Sequence, residues 1–203
     1  MAAKRAIDRT DILPPETYSA ERKALREKVI AVKRHRRMEV GPFATFYFEN
    51  YETMWHQVHE MLHIEKGGDA QIDDELRAYN PLIPQGREWV ATVMFEIEDP
   101  VRRASTLQRL GGIENRMFLT VAGEKIRGVS ESEVERTKAD GKTSSVHFVR
   151  FALNEAQVEA ARRPGAQIVV GFDHPDYAHM AIMPDAVRQR SEEHTSELQS
   201  LAY

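Results

Sequence analysis

The ten-residue stretch from Trp89 to Glu98, in which every second residue is apolar, constrains the fold most. Its odd-numbered positions are all apolar, and its even-numbered positions end in Glu96 and Glu98. Because successive side chains of a β-strand point to opposite faces, this stretch predicts a strand with one fully apolar face. Asp99-Pro100 follows as an N-cap and a first-turn proline, which together begin a helix.

Helices and strands alternate along the chain without a regular βαβ order. The clearest helix runs from Tyr51 to Lys66, after the N-cap Asn50 and before Gly67-Gly68. Further helices are predicted over residues 19–36, 72–79, 100–110 and 154–164, and further strands over residues 43–49, 117–121, 125–129, 145–153, 167–172 and 177–183. This order predicts an α+β fold, a largely antiparallel mixed sheet with packed helices in a single domain.

The predicted domain covers residues 16–189, and residues 1–15 form an extended N-terminal arm that ends in two prolines. The tail, residues 190–203, is treated separately. Its first eleven residues, RSEEHTSELQS, match the translation of a common DNA-sequencing adapter. We therefore exclude the tail from the fold prediction, expect it to be disordered, and expect the natural chain to continue differently beyond Gln189.

The composition excludes several classes of protein. The chain has no cysteine, which rules out disulfides, thiolate nucleophiles and cysteine-ligated metal centres. It has no apolar run long enough to span a membrane, and its first residues lack the apolar stretch of a secretion signal. These features predict a cytoplasmic protein.

His59 to His63 match the H-E-x-x-H pattern of zinc proteases. On a helix, histidines four residues apart can share one metal ion, and the glutamate between them can activate its water. When Val58 is placed at the centre of the apolar face, however, both histidines and Glu60 fall on the polar side. No third ligand lies at a recognisable spacing. The pattern therefore favours a solvated helix face over a metalloprotease.

Four potential metal ligands form one narrow stripe on this predicted helix: Glu52, His56, His59 and His63. Such a stripe could hold a divalent metal, for example between subunits. The alternative is a solvated face that happens to be rich in histidine, which is the default for an amphipathic helix. A divalent metal is the one cofactor that the sequence leaves open.

The loop from Asp173 to His179 lies between two predicted strands and carries carboxylate, imidazole and phenol groups. Loops of this kind are plausible sites. His147 shares a predicted strand face with Val149 and Phe151, which indicates partial burial. A histidine on an apolar face is more often a hydrogen-bonded core residue than a catalyst, so both interpretations stay open.

The N-terminal segment is basic, with 11 lysines and arginines against 5 acidic residues in positions 1–37. Four of these cations, Lys33, Arg34, Arg36 and Arg37, are close enough in sequence to form a positive patch for nucleic acid or an acidic partner. No nucleic-acid-binding fold is recognisable and the rest of the chain is acidic. A solvated helix end, where cations complement the helix dipole, is therefore favoured.

Five segments together resemble the bacterial domain-of-unknown-function family 3501. They are YFENYETM at 47–54, QVHEML at 57–62, AYNPLIP at 78–84, KTSSVHFVRF at 142–151 and DHPDY at 173–177. The resemblance covers most of residues 10–185. It implies a small cytoplasmic protein, sometimes encoded near rubrerythrin-like and iron–sulfur redox proteins. It also implies glutamine and arginine at the positions of His59 and His63, which would make the H-E-x-x-H match a coincidence of this sequence.

The family-like segments supply one candidate functional cluster: Glu60, Tyr79, Asn80, His147, Arg150, Asp173, His174 and Tyr177. Since no catalytic constellation is evident, the favoured hypothesis is a non-enzymatic accessory or binding protein. It would form a homo-oligomer and work beside redox or stress-response proteins, without a membrane or nucleic-acid partner. The alternatives are a metal-binding protein with glutamate and histidine ligands, and a nucleic-acid contact through the basic helix. Convergence of Glu60, His147 and His174 within about 4–6 Å would indicate a site.

Overall fold

A computed structural model of the protein describes residues 4–130, 137 and 141–191. For Arg190 and Ser191 it describes the backbone alone. The tail was predicted to be disordered, and its residues 192–203 lie outside the described part of the chain. The described part contains six α-helices: α1 (Pro15–Arg34), α2 (Tyr51–Glu65), α3 (Asp69–Tyr79), α4 (Pro100–Arg109), α5 (Glu155–Arg162) and α6 (Asp185–Ser191). None of them combines the length and hydropathy of a bilayer-spanning segment.

Nine strands form two antiparallel sheets in the described part: β1 (Arg37–Val40), β2 (Ala44–Phe48), β3 (Glu88–Phe95), β4 (Met117–Val121), β5 (Glu124–Arg127), β6 (Val129–Ser130), β7 (Val146–Ala152), β8 (Ile168–Phe172) and β9 (Met180–Ile182). The five-stranded sheet has the order β1-β2-β3-β7-β6, and the four-stranded sheet has the order β5-β4-β8-β9. The predicted α+β class, antiparallel pairing and single domain are confirmed, and the strands divide between two sheets.

The two sheets pack face to face around an apolar core, called here the sandwich core. The predicted apolar face of β3 lies in it, since Trp89, Ala91, Val93 and Phe95 are each at most 3% exposed. Phe46 of β2 reaches across to Phe172 of β8, with ring centroids 5.3 Å apart. Apolar residues of α4, α5 and α6 join the same core.

The opposite face of the five-stranded sheet is covered by α1, α2, α3 and the arm (residues 4–14), which together we call the helical layer. A second apolar cluster lies there and contains Ile7, Met54, Val58, Leu82, Ile83 and Val90. Met54 and Val58 point inward, as the 3.6-residue periodicity of α2 predicts. The five-stranded sheet thus separates two differently built regions.

The arm is tied to the helical layer by its backbone. Asn80 accepts a hydrogen bond from the Ile7 N–H and donates one to the Ile7 carbonyl, both at 2.8 Å. Trp55 Nε1 donates to the Asp11 carbonyl at 2.9 Å. A single 3-10 turn, Arg9–Asp11, interrupts its extended course. The arm is therefore an integral part of the fold.

Candidate functional site

The predicted functional cluster does not come together at one place. Glu60 lies in the helical layer, whereas His147 is on the sandwich face of β7, because it alternates with Phe148 of the helical-layer cluster. The five-stranded sheet therefore stands between Glu60 and His147. Tyr177 packs against Phe172 and Phe95 in the sandwich core. The convergence that would have indicated a catalytic site is absent for these residues.

The Tyr177 hydroxyl holds the turn between β1 and β2. It accepts hydrogen bonds from the Phe43 and Ala44 N–H groups at 3.0 Å each and donates to the Val40 carbonyl at 2.8 Å. Burial raises the pKa of this phenol. All of its hydrogen-bonding capacity is used by the backbone, so Tyr177 positions the turn.

The side chains of His147, His174 and Asp173 also make hydrogen bonds within the protein. His174 accepts from the Asp176 N–H at 3.2 Å through Nδ1 and donates to the Gly111 carbonyl at 3.1 Å through Nε2. His147 is fully buried, and its Nε2 lies 2.8 Å from the Ser144 carbonyl. Asp173 accepts two hydrogen bonds from Arg127 at 2.7 and 2.8 Å, and this pairing lowers the pKa of the carboxyl group. These side chains connect loops to strands.

Tyr79, Asn80 and Arg150 lie on the helical-layer side of the five-stranded sheet. The Arg150 guanidinium donates to Glu88 and to the Pro81 carbonyl, while Asn80 binds the Ile7 backbone as described. Burial raises the pKa of Tyr79. Asn80 thus anchors the arm, and Arg150 anchors the segment after α3.

His59 lies inside the helical layer, which corrects the prediction that it faces solvent. Only 2% of it is exposed. Its Nδ1 donates to the Trp55 carbonyl at 2.7 Å, and its Nε2 accepts from the Leu13 N–H at 3.0 Å. Burial lowers the pKa of the ring, which favours this neutral tautomer. The helical-wheel argument was wrong because α2 is covered on two sides, by the sheet and by α1 with the arm.

Glu60, the middle residue of the H-E-x-x-H pattern, is held by α1. Arg22 binds its two carboxylate oxygens with Nε and an Nη atom, both at 2.8 Å, and the Tyr18 hydroxyl donates to it at 2.7 Å. These contacts, led by the Arg22 hydrogen bonds, lower the pKa of Glu60 to about 2. A carboxylate bound in this way is a poor general base.

The predicted metal stripe is split between different environments. His63 Nδ1 lies 3.4 Å from Ser19 Oγ. His56 is 8% exposed, so it does not face solvent either, and its Nε2 is buried without a hydrogen-bond partner in the described structure. It borders a cleft of about 290 Å³ that Glu52 also lines. Within residues 4–130, 137 and 141–191, no three metal-ligating side chains are grouped closely enough to hold an ion.

The predicted basic patch is also incomplete. Arg36 is only 2% exposed, so it cannot contact a polyanion at the surface. Arg37 pairs with Glu39 at 3.0 Å. Lys33 is half-buried and Arg34 is exposed. The chain turns from α1 into β1 at this point, which separates cations that adjoin in the sequence.

A larger opening than the cleft beside His56 lies elsewhere in the helical layer. A cleft of about 710 Å³, called here the arm cleft, is bordered by the arm, α1, α2 and α3. Its lining is mainly apolar, from Ile12, Leu13, Pro14, Pro15, Tyr18, Leu62 and Ile72. Ser19, His59 and His63 add polar groups, and Arg9, Lys66 and Asp69 add charges.

Two of these three charges compensate each other. Arg9 pairs with Asp69 at 2.6 Å and with Asp73 at 2.6 Å. Lys66 makes no hydrogen bond or ion pair with any side chain in the described part of the chain. Sequence reasoning missed this cleft because its walls come from four separate segments, and the arm that borders it was predicted as an extended segment outside the domain.

The family model described as "Protein of unknown function (DUF3501)" matches residues 6–193. A crystal structure of a novel protein of unknown function from Burkholderia pseudomallei K96243 is similar, with 36% sequence identity and a TM-score of 0.87. The match covers 94% of this chain and 100% of that one. No curated protein matches this chain.

Proposed function

The chain belongs to the DUF3501 family of proteins of unknown function, and from its geometry we propose that it is a non-enzymatic binding protein that holds a small ligand in the arm cleft. The observation that carries this proposal is the cleft itself, about 710 Å³ in volume with mainly apolar walls. Ligand pockets typically measure roughly 300–1,000 Å³ and combine apolar walls with a few polar groups that converge on the ligand.

The state of the titratable groups favours binding over catalysis. His59 lines the cleft, but both of its ring nitrogens are bonded to backbone groups. The Glu60 carboxylate nearby is neutralised by Arg22. A general base needs a free lone pair within hydrogen-bond reach of the substrate, and neither residue offers one.

One pair in the cleft has the residue types of a nucleophile and its base, Ser19 and His63. Their atoms are 3.4 Å apart, longer than a working nucleophile–base contact. Among the described residues, no carboxylate accepts a hydrogen bond from His63 to orient it. Ser19 also lies within α1, where most backbone N–H groups are committed to the helix. The pair therefore lacks the remaining parts of a hydrolase.

Titration with N-phenyl-naphthylamine, an uncharged dye whose fluorescence rises in apolar sites, tests the proposal. We expect saturable binding of one dye per chain. Ser19→Trp should weaken this binding by about tenfold or more, since an indole placed on the exposed wall of α1 fills the cleft. Ala20→Trp adds the same side chain to the next position of α1, outside the cleft lining, and should bind like the unmodified protein. Equal loss in both variants, or no saturation at all, would refute the site.

The role beside redox or stress-response proteins stays a prediction within this proposal. It rests on the family resemblance, and the arm cleft does not address it. Tagged protein should co-purify with a rubrerythrin-like or iron–sulfur protein from cells that encode both. Recovery of the chain alone as a monomer would count against both the partner and the predicted homo-oligomer.

A further inference from the structure

We propose that the ligand of the arm cleft is a small amphipathic anion, a molecule with an apolar chain or ring and one negatively charged head group. This inference rests on the proposed binding function and adds the chemical class of the ligand. Three features of the cleft carry it: the apolar walls, one cation without a carboxylate partner, and a single lining carboxylate that is held by Arg9.

The walls select the apolar part of the ligand. Leu62 of α2 and Ile72 of α3 face the cleft together with Ile12 of the arm, and all three are only partly buried in the protein alone. Covering apolar surface of this kind is favourable in proportion to the area removed from water. A purely polar ligand would gain nothing from these side chains and would leave them exposed.

Lys66 selects the charge of the head group. The lining contains two cations, Arg9 and Lys66, and one carboxylate, Asp69. Arg9 binds Asp69 and also Asp73 outside the lining, so Lys66 is the lining cation without a carboxylate partner among the described residues. No carboxylate of the lining is left without a cation, since Asp69 is paired with Arg9. A negative head group would therefore meet an attractive partner there, whereas a positive one would meet a like charge.

The backbone at Lys66 gives an independent reason to regard this lysine as selected for its side chain. Lys66 ends α2 in the left-handed conformation, with φ 55° and ψ 33°. Ala122 is the only other non-glycine residue with positive φ in the described part of the chain. Glycine is the usual residue at such a position because a side chain there crowds the following carbonyl oxygen. A lysine therefore occupies a position where glycine would favour the fold.

The interior of the cleft does not oppose an anion. His59 presents a neutral ring whose tautomer is fixed by the Leu13 N–H and the Trp55 carbonyl. The Tyr18 hydroxyl is turned toward Glu60, whose charge is matched by Arg22. His63 adds a ring N–H that can donate to a head group. These polar groups therefore either can donate a hydrogen bond to an anion or carry no uncompensated negative charge that would repel it.

Displacement of N-phenyl-naphthylamine by three ligands with the same eight-carbon chain tests the inference. We expect octanoate to bind about three- to fivefold more tightly than octanol, and octylamine to bind most weakly, since an exposed ion pair supplies no more than that. Lys66→Gln should abolish the preference for octanoate and leave octanol unchanged. Lys23→Gln removes an equal charge from an exposed position of α1 outside the cleft and should keep the preference.

A further variant separates ligand selection from folding. Lys66→Gly should raise the melting temperature, because glycine suits the left-handed conformation, and should still lose the octanoate preference. Dye binding without any preference for octanoate, or a preference that survives Lys66→Gln, would overturn the anionic class while leaving the cleft intact as a binding site. Absence of saturable dye binding would instead refute the proposed function itself.

Discussion

The sandwich core and the helical layer cover opposite faces of the same five-stranded sheet and are stabilised by different interactions. In the sandwich core, aromatic and aliphatic side chains meet directly, as Phe95 and Phe172 do with ring centroids 6.0 Å apart. In the helical layer a smaller apolar cluster is supplemented by directional polar contacts, such as those of His59, Glu60 and Asn80.

This difference determines where the protein can open. Apolar burial is non-directional and cooperative, so the sandwich core is lost only with the whole fold. A hydrogen bond contributes only about 0.5–1.5 kcal/mol net, so releasing the arm costs much less than unfolding. The arm cleft lies in the region of lower local stability, which suits a site that must admit a ligand.

The largest expected effect comes from one strand, β7, that contributes phenylalanine to both regions. Phe151 is fully buried in the sandwich core, and Phe148 is partly buried against the helical layer. Phe151→Ala should lower the free energy of unfolding by about 3–5 kcal/mol, the usual range for a buried phenylalanine. Phe148→Ala should lower it by clearly less. Urea unfolding followed by circular dichroism measures both, and equal losses would contradict the distinction.

A smaller effect is expected where the arm meets α3. Asn80→Ala removes both hydrogen bonds to the Ile7 backbone and leaves those groups without their partner. The loss should be about 1–3 kcal/mol and should be confined to the helical layer. Amide hydrogen exchange should speed up in residues 5–14 and stay unchanged in β3 and β8. Uniform acceleration in all strands would show that the two regions unfold as one unit.

Acidification should weaken the helical layer. Burial lowers the pKa of His59 and of His56 below the ordinary value of 6.5, so the unfolded chain binds more protons than the folded one. The stability from the neutral rings is present above pH 6.5 and is lost as pH falls below it. The urea midpoint should therefore drop between pH 7.5 and pH 5.5. The drop should be smaller in His59→Gln, and a midpoint that rises on acidification would show the opposite sign.

Local patterns in the sequence predicted the fold class and most elements, and the physical reason lies in what they record. The alternation in β3 and the periodicity of α2 describe one covered face each, and both faces are buried as predicted. Strands β1 and β6 went unnoticed because they have only four and two residues. Helix α6 begins just before the segment that was excluded as an adapter match.

The candidate site could not be predicted for a different reason. A helical wheel assigns one buried face to a helix, but α2 has a second neighbour in α1 and the arm. The arm contacts His59 through Leu13, which lies 46 positions away in the sequence. Hydrogen bonds such as Leu13 N–H to His59 leave no periodic signal in either segment. Contacts that join several elements through single polar groups are therefore visible only in three dimensions.

The smallest expected effect on stability distinguishes His56 from His59, two buried histidines of α2. His59→Leu leaves the Leu13 N–H without its acceptor and should cost about 1–3 kcal/mol. His56→Leu removes a buried Nε2 that has no hydrogen-bond partner in the described structure, so it should change stability by less than about 1 kcal/mol and can be stabilising. Thermal unfolding of both variants at pH 8, where both rings are neutral, makes the comparison. A large loss of stability in His56→Leu would mean that this ring binds a group in the 290 Å³ cleft that it borders between α1 and α2. His56 would then be a ligand-binding histidine and His59 a structural one.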